Sequence, residues 1–522
     1  MLPPPTAVPL LTRALLAPLA AGLIAPLALM GQQAARAEAA EQLTSIGQFS
    51  DVQPSDWAYQ ALSNLIERYG CVAGYPDGSE RGGRAISRYE AAALLNACLE
   101  RVSEVTDELK RLLQEFEREL VILRGRVDAI EARVGVLEAT RFSTTTKLSG
   151  LATFVVGANG FSGSSNQQVE YSRRQFGGTT FNYDLQLTLD TSFTGKDLLR
   201  ANLRGGNFAD SSFGGAGPTN LSLLETAFQE DLGAPDGGDV VAIERLFYQF
   251  PVGDFTFTLG GRVGQEDMLA IWPSVYPSDA VLDLLTLGGA MAAYNLNLGA
   301  GAGLWWQKNG LAISANYVAA NGQSGTPASG GIASSGAGSS GSVQIGYSNE
   351  QWGLAAIYSR LQNANELIVY GTPFSLNSFS QPGNTDAFGL SGFWQPSQSG
   401  WLPSISAGWG INTSHYASSV DPEGLVRTSQ SWSVGLQWDD VLIEGNALGM
   451  AVGQPTFATS LIGGDTPHDG GLVWEWWYQL QVSDRISVTP ALFLLSRPLG
   501  GDTASGSSFR QVGGLIKTSF RF

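Results

Sequence analysis

The period of the apolar positions changes along the chain, and each period predicts a different kind of structure. From about Phe142 onward it is two. In DLQLTLDTSF, Leu185, Leu187, Leu189, Thr191 and Phe193 share one face, and Asp184, Gln186, Thr188, Asp190 and Ser192 share the other. Leu199, Ala201 and Leu203 oppose Arg200, Asn202 and Arg204, while Phe255, Phe257 and Leu259 oppose Thr256, Thr258 and Arg262. VWEWWYQLQV gathers Trp474, Trp476, Tyr478, Leu480 and Val482, and the chain ends with Ile516, Thr518, Phe520 and Phe522 set against Lys517, Ser519 and Arg521. Such alternation predicts β-strands with an apolar medium on one face and water on the other. Short turns punctuate the runs at Thr194-Gly195-Lys196-Asp197, Pro251-Val252-Gly253-Asp254 and Val482-Ser483-Asp484-Arg485. Long Gly/Ser/Asn/Pro segments punctuate the rest, the longest being Asn321 to Ser342.

Upstream the period is 3.5. Leu109, Leu113, Phe116, Leu120, Leu123, Val127, Ile130, Val134 and Leu137 are spaced four, three, four, three, with Glu, Arg and Lys between them. The pattern predicts a coiled-coil linker over 101–140, a rod of roughly 45 Å that would oligomerise. An amphipathic helix packed on a globular domain is the other reading. Earlier still, 46–100 predicts two helices around a turn. Ser55 or Asp56 can cap a helix with Trp57, Ala61, Leu62, Leu65 and Ile66 on one side. Gly70 closes it, Gly74-Tyr75-Pro76-Asp77-Gly78 makes the turn, and Ser87 with Glu90 forms a capping box.

Composition narrows the choice of β-structure. Only 15% of residues are charged, 43% are hydrophobic and 65 are glycine, unlike a disordered chain. Beyond the first thirty residues no apolar run reaches the ~20 needed for a spanning helix. Short turns, long loops and aromatics near strand ends fit a transmembrane barrel over 142–522 better than a soluble sandwich. About 380 residues at roughly ten per strand plus loops suit about sixteen antiparallel strands. A closed barrel has no free edge, so the last residue belongs to its closing strand.

The first residues predict export. Arg13, the apolar Ala14 to Met30, and Ala35-Arg36-Ala37 read as a signal peptide over 1–37. Outside the cytoplasm, Cys71 and Cys98 can form a disulfide, or remain two buried thiols.

A net charge of −17 disfavours nucleic acid as a partner. Residues 142–522 hold 16 basic and 29 acidic side chains, so a barrel interior would favour cations if those acids line it. By alternation, Gln186, Asp190, Arg200, Arg204 and Arg262 are the candidates to line a pore. His415 and His468 stand far apart, no Cys/His spacing suits a metal, and no strand–turn–helix surrounds a Gly-x-Ser-x-Gly. Neither enzyme, cofactor nor metal is expected. GAGAG (299–303) is followed by LWWQ instead of a helix, and reads as a smooth barrel wall.

Phe49-Ser50-Asp51-Val52, Trp57-Ala58, Ala61-Leu62, the Gly74-to-Gly78 loop and Ile86-Ser87-Arg88-Tyr89-Glu90 resemble the S-layer homology (SLH) domain in content and spacing. The resemblance implies binding to peptidoglycan-linked polysaccharide, with Trp57, Arg88, Tyr75 and Asp77 in or near the sugar site. A guanidinium suits an anionic sugar substituent, and an indole offers a flat face to a pyranose. Such domains often occur three in tandem; here a trimeric rod would gather three copies and replace repetition by avidity.

SLH domain, coiled coil and barrel together, with Thr191 to Arg200, Phe250-Pro251-Val252-Gly253-Asp254, Ile486 to Ala491 and Ser496-Arg497-Pro498, resemble the OprB-like porins of cyanobacterial outer membranes. The resemblance implies a homotrimer of sixteen-stranded barrels in outer-membrane lipid, anchored to the wall from the periplasm. It also implies that the strand ending at Phe522 engages the barrel assembly machinery. Sugars, inorganic ions and iron are all implied as solutes. A structural tether with little channel activity is the alternative.

Overall fold

The computed structural model describes residues 55, 57–69, 87–99, 106–121, 145–228, 239–277, 280–364, 367–398, 400–464 and 467–522. The chain divides into two compact units between Arg141 and Phe142. The predicted signal peptide lies outside the described residues, as do Cys71, Tyr75 and Asp77.

The first unit contains α1 (Trp57–Tyr69), α2 (Arg88–Leu99) and α3 (Asp107–Glu115). The capping box opens α2: the Ser87 backbone N–H donates to Glu90 Oε2 at 2.8 Å and the Glu90 N–H returns to Ser87 Oγ at 3.3 Å. Thr106 caps α3, its Oγ1 accepting from the Leu109 N–H at 3.2 Å. Ala58, Ala61, Leu62 and Leu65 of α1 and Ala91, Ala92 and Leu95 of α2 make a core with Leu109, Leu112, Phe116 and Leu120.

This core corrects the seam read from the 3.5-residue period. Over the described stretch, Leu109, Phe116 and Leu120 are buried against helices of their own chain, and fully buried Leu112 takes the place expected of Leu113, which is half-buried. The heptad pattern is satisfied within the chain here because the small alanines of α1 and α2 leave room for large side chains from α3. Positions from Leu123 to Leu137 lie outside the described residues. Truncating Leu112 to Ala should destabilise this unit by about 2–5 kcal/mol, the usual toll of a buried leucine and its cavity. Limited proteolysis of the full-length protein reads it as faster cleavage within 57–121 while 146–521 stays intact.

The second unit is a closed barrel of strands joined in sequence order. The first half runs β1 (Thr146–Ser162), β2 (Thr180–Thr191), β3 (Leu198–Gly206), β4 (Ala242–Val252), β5 (Phe255–Gly264), β6 (Leu298–Lys308), β7 (Leu311–Ala319) and β8 (Ser339–Ser348). The second runs β9 (Trp352–Gln362), β10 (Gly383–Trp394), β11 (Ser404–Tyr416), β12 (Val426–Asp439), β13 (Ala447–Leu461), β14 (Leu472–Ser483), β15 (Ile486–Ser496) and β16 (Arg510–Arg521). β1 pairs antiparallel with both β2 and β16, so the final strand closes the sheet. Gly150 N–H donates to Phe522 O at 2.8 Å and Phe522 N–H to Gly150 O at 3.0 Å, placing the terminal residue in the seam. With its edges paired, the barrel leaves its backbone no unpaired row to expose.

Short turns and long connections alternate around the barrel, segregating to opposite ends. In the β2–β3 turn, the Asp197 carboxylate accepts from Thr194 N–H and Oγ1–H at 2.7 Å each and from Tyr248 O–H at 2.7 Å. These bonds, led by the Thr194 hydroxyl, hold that carboxyl well below the usual range. Outward positions are apolar and exposed, among them Phe154, Leu259, Ile345, Leu354, Leu492 and Ile516. Near the short turns they become aromatic: Trp352 stands opposite Trp394 and Phe255 opposite Trp306. That is the outer surface a hydrocarbon layer with aromatic interfaces requires.

Candidate functional site

The interior is not a plain tube. The described residues of the connection between β5 and β6, 265–277 and 280–297, fold inside and lie along the wall as a belt. Going out, it bonds β7, where Ala270 N–H donates to Ser314 Oγ at 2.8 Å, then β11, where Val275 and Tyr276 N–H donate to Ser406 Oγ. At its far end Leu282 N–H donates to Glu475 Oε2 at 2.7 Å, Tyr276 O–H donates to Glu475 Oε1, and Lys517 Nζ donates to Ala280 O at 2.9 Å. Returning, it accepts from Ser431 and Ser391 at Gly289 and Gly288, and from Ser359 at Ala293. Gln265 ties the two ends, its Nε2 donating to Ala293 O and its Oε1 accepting from Asn295 N–H.

The wall composition makes this possible. Irregular backbone inside a barrel must have its polar groups satisfied by protein or by water, and here inward serines supply much of that bonding. Inward glycines let the belt lie flat: a Cβ on Gly389 would come within 2.6 Å of Ala290 Cβ. Gly289 itself has φ +72°, where side chains are strained. Residues 207–228, between β3 and β4, also fold inward and pair with the belt, Glu225 N–H donating to Val281 O and Asp283 N–H to Leu223 O. Together they fill the space against β13–β16 and β1, packing Phe208, Phe213, Leu221, Leu282 and Leu285 on wall residues such as Phe493. From the β9–β10 connection, Tyr370 O–H donates to the Asp283 carboxylate.

The belt covers the inward side chains of β7–β12 almost completely, whereas Gln186, Thr188, Asp190 and Arg200 on β2 and β3 stay half-exposed. That side carries a ladder of arginines and carboxylates. Arg200 grips Asp190 bidentately, Nε to Oδ1 at 2.8 Å and Nη2 to Oδ2 at 2.7 Å. Arg204, buried, donates from Nε to Asp184 Oδ1 and from Nη1 to Glu244 Oε1, both at 2.7 Å. Asn202 holds the other Glu244 oxygen at 2.7 Å and Gln186 the Asp184 Oδ2 at 2.9 Å. Arg245 reaches into the belt's first turn, to Asp267 at 2.8 Å and Glu266 at 2.5 Å. Cross-strand register places Asp190 directly opposite Arg200, whereas Arg204 stands opposite Gln186 and reaches diagonally to Asp184 two residues along the strand.

The structure thus brings Gln186, Asp190, Arg200 and Arg204 onto one inward row. It sets Arg262 apart, because a register shift places it opposite outward-facing Leu246, where its Nε donates to the Glu244 carbonyl at 3.3 Å. Alternation missed Asp184 as an arginine partner, and it missed Glu244, Arg245, Glu266 and Asp267, which a bulge in β4 and the belt bring in. One signal for the belt was present: AVLDLLTLGGAMAAY (280–294) is too apolar for a solvent loop and lacks either strand or helix period.

In the first unit, Trp57 is 40% exposed, unlike its buried neighbours Ala58, Ala61 and Leu62 on α1. The Arg111 guanidinium of α3 lies 4.4 Å from the centre of its ring. Arg88 and Cys98 lie on α2.

The model of the family described as Carbohydrate-selective porin, OprB family, matches residues 104–522, and that of the S-layer homology domain matches residues 48–92. An uncharacterized protein of Nostoc sp. is 33% identical, covering 93% of this chain and 87% of its own, and one of Synechocystis sp. is 32% identical, covering 92% and 91%. Outer membrane protein SlpA of Thermus thermophilus is 33% identical over 16% of this chain and 11% of its own. Among solved structures, OprB of Pseudomonas putida aligns with TM-score 0.45 at 10% identity, covering 76% of this chain and 97% of its own. A family match that spans the barrel, on sixteen strands closed around an inserted belt, establishes the chain as a member of the carbohydrate-selective porin OprB family, an outer-membrane porin with an S-layer homology domain ahead of its barrel.

Proposed function

We propose that the protein passes small hydrophilic solutes by passive diffusion, favouring uncharged and cationic solutes over anions. The ladder carries this reading. Around Arg200, Arg204 and Arg245 the carboxylates of Asp184, Asp190, Glu244, Glu266 and Asp267 outnumber the guanidiniums, so the local field is negative though each arginine is paired. Gln186, Asp190 and Arg200 line the pore in this account, and Arg204, buried behind them, holds Asp184 and Glu244 in place. Sugar uptake is a second reading, supported by the family's description and by the ladder's dense donors and acceptors, which suit a polyol's hydroxyls.

The S-layer homology domain holds peptidoglycan-linked polysaccharide in this reading, through Trp57 and Arg88 together with Tyr75 and Asp77. Three copies associate through the seam beyond Leu123, and the strand ending at Phe522 engages the assembly machinery. Tethering the outer membrane to the wall is then a second role.

Single-channel recording of the purified protein in a planar bilayer tests the proposal. Under a salt gradient we expect conductance steps in groups of three and a reversal potential displaced toward the cation value. Concentration-dependent block by added sugars would move the assignment to carbohydrate uptake. Silence from folded protein would reject diffusion and leave the tether.

A further inference from the structure

We propose that Arg111, on α3 and beyond the segment matched to the S-layer homology domain, is a saccharide-contact residue that recognises an anionic sugar substituent. The proposal rests on the reading that this unit binds wall polysaccharide, and it names the chemistry of that ligand. The large apolar residues of α1 with described side chains, Leu62 and Leu65, are buried, while the indole of Trp57 is held 40% exposed. Arg111 stacks its guanidinium over that ring at 4.4 Å. Neighbouring Asp107 pairs with Lys110, at 3.0 Å, and among the described residues no carboxylate pairs with Arg111.

A guanidinium stacked on an indole uses its face and keeps its edge N–H donors free, in the planar fork that fits a carboxylate or phosphate bidentately. The pair is therefore a composite platform. The indole offers apolar surface to the C–H face of a pyranose, and the arginine edge offers donors to an anionic group on the same sugar. α3 can contribute because Leu109, Leu112 and Phe116 dock it on α1 and α2. A match confined to residues 48–92 would not include it.

The test is co-sedimentation of the full-length protein in detergent with sacculi from Synechocystis sp., either bearing their polysaccharide or stripped of it by acid. Arg111→Gln should bind native sacculi about tenfold more weakly, the worth of a lost charge-assisted hydrogen bond. Its binding should also lose most of the salt sensitivity shown by the wild type. Arg111→Lys, which keeps the charge without the fork, should fall between them. Arg111 is exposed, so unchanged protease resistance should accompany these changes. If the wild type binds native and stripped sacculi equally, the polysaccharide reading itself fails and the inference with it. If the wild type prefers native sacculi and Trp57→Ala abolishes that preference, but Arg111→Gln binds like the wild type, the inference is overturned and the reading stands.

Discussion

Replacing Arg204 with methionine should destabilise the barrel by about 3–5 kcal/mol, the loss expected when one partner leaves a buried ion-pair group. Arg204 has side-chain exposure of 9%, Asp184 0% and Glu244 12%, so the two carboxylates would be left desolvated with one cation gone between them. Gln186 and Asn202 would still donate to one oxygen of each, but amides do not neutralise charge. Either the carboxyls take up protons or the covering segment 207–228 moves away to admit water. Both outcomes lower the temperature or denaturant concentration at which the folded form is lost, read by comparing heated and unheated electrophoretic mobility. The same argument makes a sharper prediction. Combining Arg204→Met with Asp184→Asn and Glu244→Gln removes all three charges and should recover most of the loss, since an isosteric uncharged cluster is often as stable as a buried ionic one. A triple variant as unstable as the single one would mean that the cluster works through shape and not charge compensation.

Excising the belt should raise single-channel conductance severalfold. The excision is geometrically mild, because the belt leaves and rejoins the wall at nearly one place: Gln265 bonds both Ala293 and Asn295. A short glycine–serine link from Ala270 to Ala293 would replace the residues between. Ser406, Ser431 and Ser391 would exchange belt partners for water, a near-neutral trade for hydroxyls. The damage falls elsewhere. Phe493, Leu495, Leu515 and Val155, now buried inside the barrel, would face a wet interior, so the variant should also unfold at lower temperature. An unchanged conductance in correctly folded protein would show that the limiting aperture is set by another segment. Residues 207–228, which pair with the belt through Glu225 and Asp283, would then be the ones to remove.

Much of the ladder is legible because alternation is a local rule. Side chains two apart share a face whatever surrounds them, so Gln186 with Asp190, and Arg200 with Arg204, are assigned to the wet face without knowledge of any partner. Pairing needs one further fact, the register across the Asp197 turn, and the structure supplies it. Local reasoning fails where backbone irregularity resets the count. The bulges at Asn202/Leu203 and Leu246/Phe247 bring Arg245 to the belt and set Arg262 apart. It fails again at Leu109 to Leu120, where a heptad repeat is the same signal whether the complementary surface is another chain or two helices upstream.

The sequence by itself determined the strands, the turns that join them, the closing role of Phe522 and the two-part plan of helices before barrel. Backbone geometry dictates the two-residue alternation, and turn chemistry depends on a few adjacent residues. Only the tertiary structure decided which connection turns inward, where the belt is pinned and which charges meet. Those contacts join residues far apart in the chain, such as Lys517 with Ala280 and Glu475 with Leu282. A serine, a glycine or a buried glutamate on the wall has no distinguishing pattern along the sequence. Its fit to a particular carbonyl or amide exists only once the barrel has closed around the loop.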